Sequence, residues 1–373
     1  MRPEERLEIA VHLGTPDRVP VAPIVASVAA RWAGISQREF LSDVEKGLAA
    51  LDKADQLLGG CDANWNLYPF QTARSLQVLG AMQVLLPGDG IPEDSVFQYV
   101  ETEVMKPEEY PLLIRSFPEF NKVYLSRIHK GVDALAIRET SLWRAELHRR
   151  DVERWASKGI PSMVAGVLSL PFDLLSFMRS WEKFFLDLYR IPDRVIEALD
   201  VIANSVFHAA RRAVAQSGVR RVFLGGTRCA ATFVSPKMFD KFVMPTLRWL
   251  VEALFKEGIV SLLHFDSDWT LHLPRLAELP RGSCILDLDG TTDIFEAKRL
   301  LRDRLCIMGD VPANILTMGT PQDVESYCKK LIDVVGEGGG FILSSGCDVP
   351  VDARLENVRA MVDTARAYGV YHP

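Results

Sequence analysis

The chain has 373 residues, of which 48% are hydrophobic and 25% charged, and its formal net charge is −6. This composition is ordinary for a globular protein with enough apolar material for a large core. Because lysine and arginine form no dense block, the sequence predicts neither nucleic acid nor an anionic membrane as the main partner.

The amino-terminal sequence MRPEERLEIAVHL predicts the start of an amphipathic helix. It does not resemble a secretory signal, because acids stand where a signal peptide has its apolar core. No apolar stretch reaches the roughly 18 residues that a membrane span needs. The six cysteines are scattered and predict no disulfide framework. We therefore expect a soluble, cytoplasmic protein with reduced thiols.

Short apolar runs alternate along the chain with longer segments of helical period. The apolar runs predict eight buried strands, at residues 19–24, 61–67, 162–168, 221–225, 259–264, 283–288, 305–309 and 341–345. Helices are predicted between most of them, at residues 42–58, 192–217, 236–257, 294–301 and 321–335. Continuous apolar strands suit a parallel sheet covered on both faces. Eight such β-α alternations predict an α/β fold of the (β/α)8, TIM-barrel type.

Residues 69–160 depart from this alternation. Residues 76–86 and 95–104 predict a β-hairpin around the turn sequence Pro87-Gly88-Asp89-Gly90. Helices are predicted after it, at residues 108–129 and 141–158. We interpret the segment as an insertion after the second strand that serves as a lid. No linker interrupts the chain, so residues 1–373 are predicted to form a single barrel domain.

Polar residues occur at the carboxyl end of nearly every predicted strand, where barrel enzymes build their sites. They are Asp62, Asn64 and Asn66, then Thr227, Arg228 and Cys229, then His264, Asp266 and Asp268, then Asp287 and Asp289, then Asp310, and finally Ser344, Ser345, Cys347 and Asp348. Loops are polar in most proteins, so each residue alone is weak evidence. Asp287 and Asp289 in particular are interpreted as loop acids that bind backbone amides.

One group among these residues predicts a metal site. Catalytic zinc takes nitrogen, sulfur and oxygen ligands, and it uses about three protein ligands. His264 and Asp266 are two residues apart at the end of the fifth strand, so both can face the barrel mouth. Cys347 follows a glycine at the end of the eighth strand. Strands five and eight lie across the mouth from each other, so this site requires loops that fold inward.

Three segments resemble the uroporphyrinogen decarboxylase superfamily, and within it the cobalamin-dependent methyltransferase branch. RPEERLEIAVHLGTPDRVPV is similar to the opening of that superfamily. FVSPKMFDKFVMPTLRWLVEAL resembles its SP-x-x-F-x-x-F-x-x-P segment. GGFILSSGCDVP is similar to the segment that closes the methyltransferase site with a cysteine zinc ligand. The resemblance covers most of the chain and implies a (β/α)8 barrel with its site at the carboxyl-terminal mouth.

In the methyltransferase branch, a His-x-Cys pair and a later cysteine hold zinc. His264 matches the histidine and Cys347 the later cysteine, whereas Asp266 stands where that pattern has a cysteine. A carboxylate also ligates zinc. The resemblance therefore implies a zinc site at His264, Asp266 and Cys347, with one thiolate fewer and a more Lewis-acidic metal.

The decarboxylases themselves differ from this chain in two places. Their arginine-rich M-R-Q-A-G-R stretch, which gathers the substrate's carboxylates, is replaced here by VASVAA at residues 25–30. Their Gly-His-Gly near the last strand is replaced by Gly346-Cys347-Asp348. Asp62 could still correspond to the central aspartate of the decarboxylases, which keeps a metal-free carboxy-lyase as an alternative.

The interpretation we carry forward is a corrinoid-dependent methyltransferase that acts with a zinc-activated heteroatom. No D-x-H-x-x-G motif is present, so the cobalamin is expected on a separate corrinoid protein, with a small molecule as methyl donor or acceptor. A further alternative is a non-catalytic barrel that binds a corrinoid protein. The remaining site predictions are catalytic roles for Asp62 and Asp310 and substrate binding by Asn64, Trp65, Asp268 and Asp348. Asp268 and Asp348 are also candidates to hydrogen-bond the ligating histidine.

Overall fold

The computed structural model describes residues 1–129 and 131–371. Its strands are β1 Gln83–Leu85, β2 Gln98–Val100, β3 Val167–Ser169, β4 Arg221–Gly226, β5 Val260–Phe265, β6 Cys284–Leu288, β7 Cys306–Val311 and β8 Phe341–Ser345. Strands β3 to β8 form one parallel sheet in chain order, and β1 pairs with β2 in an antiparallel hairpin. The alternation of apolar runs and helices therefore produced the α/β fold with a parallel sheet that the sequence predicts.

Helices flank the sheet and fill the segment before it. They are α1 Pro3–Val11, α2 Val28–Ala33, α3 Gln37–Ser42, α4 Val44–Leu58, α5 Tyr68–Gln71, α6 Ala73–Leu79, α7 Tyr110–Arg115, α8 Phe117–Ile128, α9 Ala134–Ala156, α10 Pro171–Arg179, α11 Trp181–Arg190, α12 Pro192–Ser217, α13 Pro236–Phe242, α14 Met244–Lys256, α15 Leu273–Leu276, α16 Ile294–Leu301, α17 Ala313–Thr317, α18 Pro321–Val334 and α19 Leu355–Ala367. Short 3₁₀ helices span Pro107–Glu109 and Thr270–His272. No helix in the described ranges is long and apolar enough to cross a membrane.

Two extended segments, 19–24 and 61–67, connect the open edges of the sheet. Val21 forms a parallel bridge to Leu343 of β8. The amide of Asp62 donates to the carbonyl of Val21 at 2.8 Å, and the amide of Met163 donates to the carbonyl of Asn64 at 2.7 Å. The order of contacts thus runs from β8 through both segments to the residues before β3. This closed order is consistent with a TIM-type barrel.

The predicted first and second strands are wrong as regular strands, and the sequence contains the reason. Pro20 and Pro23 lack the N–H that a continuous ladder needs, so the first segment makes only isolated bridges. In the second segment the side chain of Asn64 accepts the backbone N–H of Asn66 at 2.8 Å. That local bond replaces a ladder bond.

One helix prediction and one hairpin prediction also differ from the structure. The helix predicted at 236–257 is divided into α13 and α14, because Pro245 cannot donate to the preceding turn. The hairpin strands predicted at 76–86 and 95–104 are limited to β1 and β2, and residues 73–79 are helical instead. The helix Pro192–Ser217, by contrast, has the bounds that the sequence predicts.

The strand side chains pack on the two faces of the sheet. One face forms the apolar interior of the ring with Val260, Leu262, Ile285, Met308 and Ile342. The other face packs against the helices. Alternate residues of a strand share a face. His264, at the carboxyl end of β5, therefore lies on the same interior face as Val260 and Leu262. The interior is therefore apolar below and polar at the mouth.

Candidate functional site

His264 occupies the mouth end of this interior, next to a buried acid. Its Cα is in register with that of Asp287 on β6. Nδ1 of His264 lies 2.5 Å from Oδ2 of Asp287. The ring of Phe223 stacks on the imidazole, with 5.1 Å between the ring centres. Burial opposes protonation of His264, but Asp287, Asp266 and Cys347 outweigh it, so the pKa of His264 is raised well above its usual value. Asp287 thus fixes the ring and leaves Nε2 directed at the mouth.

Asp266 and Cys347 both lie next to this free nitrogen. Nε2 of His264 is 3.4 Å from Oδ1 of Asp266 and 3.5 Å from Sγ of Cys347. One ligand atom from each of the three residues can be chosen so that all lie within 4.8 Å of one another. The loop after β8 therefore folds inward across the mouth, which meets the geometric requirement of the predicted site.

These separations fit a tetrahedral zinc ion. With zinc bonds of about 2.0–2.3 Å, tetrahedral ligands lie about 3.4 Å apart for a nitrogen–oxygen pair and about 3.5 Å apart for a nitrogen–sulfur pair. The donor set of one imidazole, one carboxylate and one thiol is also one that zinc accepts, with the fourth position open. The residues present therefore fit the metal that the sequence predicts.

Thr227 determines which oxygen of Asp266 is free to act as a ligand. Its hydroxyl donates to Oδ2 of Asp266 at 2.9 Å, while Oδ1 faces His264. Burial would raise the pKa of Asp266, but hydrogen bonds from His264 and Thr227 lower it. The carboxylate is therefore ionised and oriented with one oxygen toward the metal position.

Two acidic residues, Asp173 and Glu101, hold the loop after β4 that carries Thr227. Asp173 is buried, and its Oδ1 accepts the backbone N–H groups of Thr227 at 2.8 Å and Arg228 at 2.7 Å. The guanidinium of Arg228 binds Glu101, with Nη2 2.5 Å from Oε2, and it packs over the ring of Trp181. Because Glu101 directly follows the β1–β2 hairpin, this salt bridge ties the hairpin segment to the mouth.

Asp62 does not join the cluster, and its contacts favour a structural role over the catalytic role, which stays a prediction. Its side chain is 2% exposed and accepts from Arg6 Nη1 at 2.7 Å and from Arg18 Nη1 at 2.7 Å. It also accepts the backbone N–H of Val21 at 2.9 Å. The carboxylate is fully occupied by two guanidiniums that join the amino-terminal helix to the first extended segment. A structural role follows from this arrangement.

Asp310 is buried near the carboxyl end of β7 and bonds outward. Its Oδ1 accepts the hydroxyl of Tyr327 from α18 at 2.8 Å, and burial raises the pKa of Asp310 to about 6. This bond directs Oδ1 of Asp310 toward α18, and the catalytic role of Asp310 stays a prediction.

Asp268 and Asp348 do not reach the histidine either. Asp268 accepts the backbone N–H of Thr270, and Asp348 accepts those of Ala26 and Ser27 at the start of α2. The prediction that either would hydrogen-bond the ligating histidine is wrong, because both carboxylates bind backbone amides.

Trp65 is 2% exposed inside the ring and donates its Nε1–H to the carbonyl of Ala22. It packs edge-on against Phe223, so it supports the ring beneath His264 and has no free surface for a substrate. Asn64 uses its side chain for the local bond to Asn66. The contacts of Trp65 favour a structural role, and substrate binding by Trp65 and Asn64 stays a prediction.

Two residues of the site were missed by sequence reasoning. Asp287 was interpreted as a loop acid, yet it is the partner of His264. The sequence contained the evidence for Asp287, because it lies two residues after Ile285 on β6 and therefore shares the interior face of that strand. No such alternation placed Thr227, which lies in the loop after β4. Asp289 does behave as predicted, accepting the amides of Ser267 and Thr291.

Comparison with known proteins gives matches across the chain. The uroporphyrinogen decarboxylase (URO-D) family model matches residues 157–368. A methylcobamide:CoM methyltransferase MtbA from Methanosarcina mazei is 24% identical over 206 residues, which are 55% of this chain and 58% of the relative. A protein of the same name from Methanosarcina acetivorans is 21% identical over 369 residues, 98% of each chain.

A uroporphyrinogen decarboxylase from Dechloromonas aromatica is 28% identical over 186 residues, 48% of this chain and 50% of the relative. Several of these matches therefore span only about half of the curated relatives. A solved methyltransferase structure from Methanosarcina mazei superimposes with a TM-score of 0.74 over 99% of both chains at 17% identity, which shows a shared fold. The family match covers more than half of the sequence, including the strands that carry the cluster. The chain therefore belongs to the uroporphyrinogen decarboxylase (URO-D) family.

Proposed function

We propose that the protein is a corrinoid-dependent methyltransferase that holds zinc at His264, Asp266 and Cys347. The observation that carries the proposal is the convergence of three different metal donors at one point of the barrel mouth. The full-length similarity to a methylcobamide:CoM methyltransferase supports the reaction class. The metal, when bound, would act as a Lewis acid that stabilises the anionic form of a substrate heteroatom.

The residues around the cluster would orient its ligands. Asp287 accepts the Nδ1–H of His264 and orients the ring, and the proton that the raised pKa keeps on Nε2 would be lost on metal binding. Thr227 holds Oδ2 of Asp266 and leaves Oδ1 for coordination. Phe223 and Trp65 fill the space beneath the imidazole and keep water from that side.

The methyl group would move between the cobalt of a cobalamin and a small molecule, and the cobalamin would be presented by a separate corrinoid protein. In the direction of a thiol acceptor, the thiol would lose its proton to solvent, the thiolate sulfur would bond to the methyl carbon, and the methyl–cobalt(III) bond would break to leave cobalt(I) with the electron pair. Such a displacement needs in-line placement of the two partners.

We propose that residues 1–373 act as one barrel domain whose segment 69–160 shapes the pocket as an insertion, since Glu101 of that segment is bound at the mouth. The six free cysteines agree with a reducing, cytoplasmic location.

A uroporphyrinogen carboxy-lyase is the second candidate, since several relatives bear that name. The chain lacks the arginines that would bind the acidic tetrapyrrole. At the corresponding place Ala26, Val28, Ala29 and Ala30 are buried apolar side chains that pack in the core. The amides of Ala26 and Ser27 are occupied by Asp348. This stretch offers a polycarboxylate little positive charge, so we favour methyl transfer.

The test of the proposed reaction is a methyl-transfer assay with the zinc-loaded protein. Methylcobalamin would be incubated with coenzyme M and with a panel of other thiols and phenols, and the methylated product would be measured by mass spectrometry. The reverse direction would use cob(I)alamin with methoxylated aromatics and methylamines. Carbon dioxide release from uroporphyrinogen in place of methyl transfer would overturn the proposal.

Changing Thr227 to valine should weaken zinc binding by about 10- to 100-fold. The change removes the hydrogen bond to Oδ2 of Asp266, and losses of this size are typical when a group that orients a metal ligand is removed. Competition with a chelator of known affinity measures the effect. Thr227→Ser is the matched control, because it keeps the hydroxyl and should retain wild-type affinity. Equal affinity in the valine variant would show that Thr227 does not orient the ligand.

Changing Asp266 to cysteine should tighten zinc binding, because a thiolate is a softer and stronger donor to this metal than a carboxylate. In the cobalt(II)-substituted protein, the sulfur-to-cobalt charge-transfer absorbance should rise with the second thiolate. We also expect oxygen acceptors to react more slowly relative to thiols, since the metal becomes less Lewis acidic. An unchanged cobalt spectrum would indicate that position 266 does not touch the metal.

A further inference from the structure

A cavity lies on the side of the ring, away from the His264 cluster. It has a volume of about 270 Å³ and lies between α9, α12 and β3. We call it the lateral cavity. Its lining residues are Phe70, Ser141, Leu142, Arg144, Ala145, His148, Ala165, Gly166, Val167, Leu168, Ala209, Arg212, Ala213 and Gln216. This volume is at the lower end of the range for ligand sites, so only a small molecule or ion would fit.

The charge of the lateral cavity is opposite to that of the protein as a whole. The chain has a net charge of −6, yet the lining contains two arginines and no aspartate or glutamate. Within the described residues, neither Arg144 nor Arg212 forms a salt bridge, whereas most other arginines on the neighbouring face of α9 pair with acids. The cavity therefore has an uncompensated positive charge.

Arg144 carries this charge in a partly buried position. Its guanidinium lies 5.1 Å from the centre of the Phe70 ring, and it makes no hydrogen bond to another described residue. Burial lowers the pKa of Arg144 to about 10, with no carboxylate to oppose it. The side chain is half-buried, so its guanidinium remains accessible, and no carboxylate neutralises its charge. An anion in the cavity would supply the missing partner.

His148 provides an independent indication of a ligand. It is 5% exposed, forms part of the cavity wall and packs edge-on against Phe70 with ring centres 5.3 Å apart. Its Nε2 is buried and has no hydrogen-bond partner among the described residues. Burial lowers the pKa of His148 to about 4 against a hydrogen bond with the backbone of Val164, so the ring is neutral and its unpartnered Nε2 is open to a ligand.

We propose that the lateral cavity binds a small oxyanion, with Arg144 and Arg212 as its charge partners and His148 as a neutral hydrogen-bonding group. Guanidinium forks match the paired oxygens of phosphate and carboxylate groups. The site shares no residue with the His264 cluster, so the proposal stands whether or not the protein transfers methyl groups.

The experiment is calorimetric titration of the purified protein with inorganic phosphate and, separately, with succinate. Saturable binding of either anion at about one site per chain is expected, and the better ligand identifies the phosphate or the carboxylate source. Arg144→Gln and Arg212→Gln should each weaken this binding about ten- to a hundredfold, as expected for loss of a charge-assisted hydrogen bond. Arg212 is exposed, so its variant tests the site without disturbing the packing around Phe70.

Two controls make the result decisive. Arg138 lies exposed on the same helix but outside the cavity lining, so Arg138→Gln should bind like the wild type. The His264→Ala variant should also bind normally, because its altered residue is in the other site. Absence of binding of both anions would overturn the proposal. So would an equal loss in Arg138→Gln, which would indicate general charge attraction, or a loss in His264→Ala, which would place the anion on the metal.

Discussion

Replacement of His264 by alanine is expected to abolish zinc retention and, with it, methyl transfer. The wild-type protein should carry about one zinc per chain after purification without chelator, as a three-ligand site predicts. His264 supplies the central donor, within 3.4–3.5 Å of both other ligand atoms. Without it, Asp266 and Cys347 alone cannot hold a catalytic ion. Elemental analysis of both proteins measures the effect.

The His264 variant also removes the partner of the buried Asp287, so its folding must be checked by circular dichroism. Cys347→Ala provides the second test. The cysteine is exposed at the end of the loop after β8, and truncation there should leave the fold intact while metal is still lost. His12→Ala, an exposed histidine on the first turn after α1, is the control and should keep its zinc. Full zinc content in both site variants would refute the metal assignment.

Replacement of Asp62 by alanine is expected to lower the free energy of unfolding by about 3–5 kcal/mol, the usual cost of removing one partner from a buried ion pair. The change leaves the guanidiniums of Arg6 and Arg18 without the carboxylate between them, and their side chains are only 7% and 16% exposed. The zinc content and the kcat per folded molecule should remain unchanged. Urea unfolding followed by fluorescence gives the stability.

Asp17 is the matched control for Asp62, since it binds the same Arg6 from a more exposed position at 39%. Arg6 holds the pKa of the Asp17 carboxyl well below its usual range, so it too is ionised in the native state. Asp17→Ala should therefore destabilise the protein less than Asp62→Ala, because water screens the exposed pair. A folded Asp62 variant of normal stability that loses all activity would restore the catalytic interpretation.

The sequence predicts the second half of the sheet well because its strands are buried on both faces. The strand Phe341–Ser345 has three apolar residues and two serines between glycines, and its bounds can be read directly. The first segment, 19–24, is equally apolar, yet its prolines prevent a ladder. The apolar residues thus predicted the positions of 341–345 and 19–24 in the barrel. Whether each segment formed a regular strand depended on the backbone N–H groups available for hydrogen bonds.

The site was predictable where chemistry was local and unpredictable where it depended on distant partners. His264 and Asp266 share one strand end, so their proximity follows from the spacing. Cys347 joined them as a zinc-competent side chain at another strand end, but the inward fold of its loop could not be deduced from the spacing. Asp62 looked free in the sequence, and nothing local indicated that Arg6, 56 positions earlier, would occupy it. The same non-local pairing concealed the link between Thr227 and Asp266.

The bond between Glu101 and Arg228 limits how the protein can diversify. Arg228 is adjacent to Thr227, which holds the carboxylate of Asp266, so the hairpin segment and a metal donor are joined by one short loop. A descendant that exchanged residues 69–160 to admit a different molecule would also disturb the coordination environment, unless it kept an acid at position 101. In the proposed enzyme, substrate range and metal reactivity would therefore be inherited together, and engineering of either one should begin with that salt bridge.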